Sequence, residues 1–233
     1  MEGSQVRRAA ADAADVVRDT VEEVKPRLRG MLHAIITPLA LAAGVVLVAL
    51  SPTATTRVGS AVFAGTALLL FPVSAFYHRG TWSPKVWAFL RRFDHSNIFL
   101  LIAGSYTPFT LILLRGSERV SLLVLVWSGA ILGVLFRIFW IGAPRWLYIP
   151  IYVALGWAAI FYAHDFGANG GSSVIILVAA GGALYTIGGV VYGLKKPNPF
   201  PAWFGYHEVF HTFVVSAFIC HYVAASIATY QLR

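Results

Sequence analysis

With 233 residues, 58% of them hydrophobic and only 12% charged, the chain carries about half the charge of a water-soluble domain, which excludes a soluble fold. Its formal charge of +8 comes from bases scattered singly or in pairs between apolar runs, which excludes a nucleic-acid-binding surface as well. Cys220 is the only cysteine, so an internal disulfide is excluded.

The first predicted element covers residues 4–25. Val6, Ala10, Ala13, Val17, Val21 and Val24 recur every three or four positions with charges between them, the pattern of an amphipathic helix. Its weak apolar face and balanced charge point to a cytoplasmic helix over 1–29, touching the membrane at most. This stretch lacks the apolar core of a cleaved signal peptide, so the first span is expected to act as its own insertion signal.

Seven apolar runs follow, at 31–51, 58–77, 93–114, 120–140, 146–164, 173–194 and 203–228. Each has about the 20 residues a helix needs to cross the hydrocarbon. The runs are continuous, not alternating, which excludes barrel strands. The connections "SPTATTR", "RGTWSPK", "RGSER", "GAPR", "DFGANGGSS" and "KKPNPFP" read as loops. The predicted architecture is therefore all-α, a seven-helix transmembrane bundle over 30–233. With the N-terminus inside, twelve bases lie on the inner side or its flank and four on the outer side. This bias predicts a cytoplasmic N-terminus and an outer C-terminus.

Ionisable residues inside spans are costly and mark function. "HEVFH" puts His207 and His211 on one face of the last helix, one turn apart. The letters match the H-E-x-x-H of zinc proteases, but a metal needs at least a third protein ligand. Downstream there is no acid, and the single His, His221, is ~15 Å along the helix axis. The third ligand must come from upstream. Segment two ends inside with "SAFYH", placing His78 there and Ser74 one turn before it on the same face. Segment three starts inside with "FDH", placing Asp94 there. Three neutral imidazoles with an open position make a catalytic type of zinc site. Asp94 is then the candidate general base, and Ser74 orients a ligand, Asp94 or a developing oxyanion. Glu208 points ~100° away from His207 and reads as incidental, with the protease reading kept as an alternative. His95 is expected beside the site. His33, His164 and His221 are expected to be structural or interfacial. Gly129/Gly133 and Gly189/Gly193 are expected to pack helices together. Trp82, Trp146, Tyr148, Trp203 and Tyr206 are expected in an interfacial aromatic belt.

The ordered motifs "SAFYH", "RRFDHSNIFLLIAGSYTPF" and "HEVFH" resemble the hemolysin III branch of the progestin and adipoQ receptor family, which includes adiponectin receptors and, more distantly, alkaline ceramidases. The resemblance spans residues 30–230. It implies zinc held by His78, His207 and His211, a zinc water held by Asp94, and a contribution from Ser74. It also implies residence in the bacterial inner (plasma) membrane. The expected function is a zinc-dependent hydrolase of membrane lipid amides, with a lipid substrate or ligand in the bundle cavity. One alternative is a non-enzymatic membrane sensor or regulator of lipid homeostasis with structural zinc. The other is a pore-forming cytolysin, for which no segment offers the polar stripe a pore needs.

Overall fold

In hydrocarbon each backbone N–H and C=O must find its partner inside its own segment, so long apolar runs become helices. The computed structural model describes residues 25–140 and 142–232. Its helices are α1 (Met31–Ala49), α2 (Ala54–Arg79), α3 (Pro84–Leu113), α4 (Gly116–Phe139), α5 (Arg145–Gly156), α6 (Ala163–Gly170), α7 (Ser172–Leu194) and α8 (Tyr206–Tyr230). A 3-10 helix, Ala158–Tyr162, joins α5 to α6, and these three pieces together make one span. Among the described residues seven helices are thus long and apolar enough to cross a membrane, and no strand is present beyond an isolated Phe200–Phe204 bridge. The amphipathic helix expected over 4–25 lies almost wholly outside the described residues.

The sequence places several starts and stops that local chemistry explains. Thr53 caps α2: its hydroxyl accepts from the Thr56 N–H, and the Thr56 hydroxyl accepts from the Thr53 N–H. Pro84 occupies the first turn of α3, where its missing N–H costs nothing. Glu208 caps α8 by accepting from the Gly205 N–H at 2.8 Å.

Two expectations need correction. Segment three was expected to begin at 93, yet α3 begins at Pro84. Its first turns hold the surface residues Lys85, Val86 and Phe89. The "DFGANGGSS" loop is largely helical, since α6 takes in Asp165 and ends at Gly170. Arg91 and Arg92 interrupt the apolar run of α3, and Asp165, Asn169 and the glycines dilute that of α6, so apolar patterning misses these turns.

α3 is the central helix, with 72% of its most apolar window buried, against 11% for the fifth span. Neighbours in sequence pack side by side, as short loops require, and α8 closes the bundle against α1 and α3. Glycines permit the closest approaches. A Cβ on Gly59 would fall 2.8 Å from the Pro108 Cα, and one on Gly133 would fall 2.3 Å from the Phe99 ring. Gly129, Gly189 and Gly193 likewise face side chains of α5, so both G-x-x-x-G pairs pack helices within the bundle.

Candidate functional site

At one end of the bundle the tail of α2, the third turn of α3 and the first turns of α1 and α8 converge. Gly30 makes this possible. It precedes α1 with φ +75°, and a Cβ there would sit 2.9 Å from the His78 Cβ. Residues 27 and 28 pair through their N–H groups with the carbonyls of Ala202 and Trp203, tying the entry of α1 to the entry of α8.

His78, His207 and His211 are all buried, and their nearest ring nitrogens lie within 4.8 Å of one another. The His78 and His207 Nε2 atoms are 3.1 Å apart. Nitrogens each bound at about 2.0–2.1 Å to one tetrahedral ion stand about 3.3 Å from each other. The donor set and its spacing therefore suit a divalent metal ion. The three rings form a compact triangle, with centroid separations of 4.5, 4.5 and 5.3 Å.

Asp94 approaches but does not join them. Its Oδ2 is 3.6 Å from the His78 Nε2 and 3.7 Å from the His95 Nδ1. That exceeds a direct hydrogen bond. Ser74 is buried on the wall of the same cavity. His95 turns away: its Nδ1–H donates to the Arg91 carbonyl at 2.8 Å, leaving its Nε2 toward the Tyr192 hydroxyl at 3.5 Å. The four residues placed at one depth by loop charges, His78, Asp94, His207 and His211, are thus close together, and Ser74 shares their cavity.

Glu208 faces elsewhere. It is 1% exposed, forms an ion pair with Arg29 and caps its own helix. It has no part in the imidazole cluster.

One neighbour was missed by sequence reasoning. His33 of α1 is 2% exposed, and its ring stacks on that of His211 at 3.8 Å and 12°. The signal was present, because His33 is an ionisable residue one turn inside a span at the same end as the others. Tyr148 and Arg137 behave differently from expectation. Tyr148, expected in the aromatic belt, is buried beneath the Arg137 guanidinium at 4.5 Å. Tyr206 accepts from Arg145 at 3.4 Å. Arg137 itself, counted among the loop bases, is 1% exposed. Aromatic faces accept guanidinium groups, so Tyr148 and Arg137 pair with each other and leave the surface, while Arg145 and Tyr206 stay part-exposed. Trp146 and Trp203 do remain exposed.

A cavity of about 110 Å³ opens from the cluster. Its near end is formed by His33, Ser74, Asp94, His95, His207 and His211, and its wall reaches Tyr185 and His221. A second cavity of about 200 Å³ meets it at Ser105, Tyr106, Gly156, Trp157, Gly182 and His221. The lining is overwhelmingly apolar away from the histidine end.

A family model described as "Haemolysin-III related" matches residues 21–222. The chain is 36% identical over 154 residues to "Hemolysin-3 homolog" of Bacillus subtilis (strain 168), covering 66% of this chain and 69% of that one. It is 35% identical over 163 residues to "Hemolysin-3" of Bacillus cereus, covering 70% and 71%. Similarity extends to "Progestin and adipoQ receptor-like protein 1" of Caenorhabditis elegans, 27% identical over 183 residues and covering 70% of this chain and 42% of that one.

Proposed function

This chain belongs to the haemolysin-III related family of integral membrane proteins, here of the bacterial plasma membrane, and on that premise we propose that it is a zinc-dependent hydrolase of membrane lipid amides, with His78, His207 and His211 as the metal ligands. The observation that carries the reading is the convergence of three buried imidazoles beside a buried carboxylate on the wall of an apolar cavity. The excess of bases on one side supports a cytoplasmic position for this end.

An ion held there would supply Lewis acidity at an open position. The chain's own groups do the rest. The apolar wall takes the acyl chain and brings its carbonyl to the polar end. Asp94, flanked by His78 and His95, takes the proton of the attacking water on Oδ2 and returns it to the leaving amine nitrogen. Ser74 orients that carboxylate from α2. Closure of the bundle around the cluster keeps bulk water out, which strengthens each of these interactions.

A second reading, a sensor in which the ion staples helices without turnover, draws support from the separation of His78 and His207 by 129 positions, which leaves the metal as a strong tie between α2 and α8. Lipid extracts incubated with purified protein and followed by mass spectrometry separate the two. Amide-cleavage products should appear with the wild type and fall by about 10²–10⁴ with Asp94→Asn, at unchanged metal content. Equal product from both proteins would sink the hydrolase. Full metal occupancy with no product from either would leave the sensor.

A further inference from the structure

Among the described residues that line the cavity, four carry a buried polar atom without a hydrogen-bond partner: His33, His211, Tyr185 and His221. The first two are at the metal-candidate end. The other two form a second pole. Ten residues of α8 separate His211 from His221, ~15 Å along its axis.

The chemistry of this second pole is specific. The His221 Nε2 lies 3.3 Å from the Val178 carbonyl. A carbonyl only accepts, so Nε2 carries the proton and Nδ1 keeps a lone pair. The Tyr185 ring stands edge-on to it with centroids 5.6 Å apart, and its hydroxyl brings a donor. His221 is 9% exposed. Its ring occupies room left by Gly181, where a Cβ would fall 2.3 Å from the His221 Cδ2. Buried polar groups are nearly always paired, and here two rings in edge contact carry an acceptor and a donor that are both unpaired.

We propose that this pole binds a hydroxyl, or an equivalent donor-and-acceptor group, carried ~15 Å down the chain of a lipid whose carbonyl lies at the three-histidine end. The inference rests on the cavity being a lipid site, as in the preceding reading, and not on hydrolysis. A plain hydrocarbon chain leaves Tyr185 and His221 unpaired. An alcohol accepts from the Tyr185 hydroxyl and donates to the His221 Nδ1, so it satisfies both. The ligand class is therefore a hydroxylated acyl chain in preference to a simple saturated one.

The test compares ω-hydroxylauric acid with lauric acid for binding to the full-length protein in nanodiscs, by calorimetry or competition. The hydroxylated acid should bind about tenfold more tightly. Tyr185→Phe and His221→Phe should each abolish that preference while leaving lauric acid affinity within about twofold, the hydroxyl group's contribution being the part removed. Equal affinity of the two acids for the wild type overturns the proposal. So does a preference that survives both variants. Metal analysis of the same samples keeps the two readings apart. Bound metal with no hydroxyl preference overturns this pole alone, whereas a hydroxyl preference in protein that takes up no metal supports the pole and overturns the proposed ligand set.

Discussion

Two buried carboxylates at one end of the bundle, Glu208 and Asp94, do different work because their neighbours differ. Glu208 has a guanidinium and a backbone N–H, so its charge is spent on structure. Asp94 has two imidazoles just beyond hydrogen-bond reach, which leaves its lone pairs for a water. Glu208→Gln should therefore leave metal uptake unchanged while lowering stability by about 3 kcal/mol, since removing one partner of a buried pair strands the other. His78→Ala and His211→Ala should lose most of the bound metal. Elemental analysis with thermal melts distinguishes these outcomes, and loss of metal from Glu208→Gln would revive the protease reading. The letters "HEVFH" cannot make this distinction, because Arg29 lies 179 positions away. His33 was legible in principle. Its stacking on His211 was not, because ring orientation depends on how closely Gly30 lets α1 approach α2.

At the level of elements, the fifth span shows how a break is stabilised. The helix stops at Gly156 and resumes at Ala163 through a 3-10 stretch. The Tyr106 hydroxyl donates to the Gly156 carbonyl at 2.6 Å and accepts from the Ala159 N–H at 2.8 Å. One side chain of α3 thus satisfies two backbone groups at the break, one carbonyl and one N–H. Tyr106→Phe should cost about 2 kcal/mol by stranding them, seen as a lower melting temperature with the metal content unaffected. A melt unchanged from wild type would mean that water substitutes for the hydroxyl. Hydropathy alone reads this stretch as an unbroken run, because a break stabilised by a side chain from another helix leaves no mark on local composition. The boundaries of α3 and α6 were missed for a related reason: Arg91 and Arg92 split the apolar run of α3, and Asp165, Asn169 and the glycines break that of α6.

For the molecule as a whole, metal binding and bundle stability should be coupled, because an ion at the cluster ties α2 to α8 and ligands that bind only the folded state stabilise it. At an ion concentration about 100 times its Kd, that contribution is about 2.7 kcal/mol. A chelator should then lower the melting temperature by roughly 5–10 °C, and His78→Ala should melt near the chelated value with no further drop. A chelator-insensitive wild type would remove the metal from the account. The apolar runs by themselves determined the seven spans and the all-helical class, because the bilayer allows a continuous apolar segment little else. Loop charges and helical spacing also brought His78, Asp94, His207 and His211 to one depth. Only the tertiary structure decided that the nitrogens of the three histidines come within 4.8 Å of one another, that Glu208 is taken by Arg29, that His33 stacks on His211, and that Tyr185 and His221 form a second pole. Each of these is a contact between residues far apart in the chain, governed by side-chain packing between helices, about which the periodicity of any one helix carries no information.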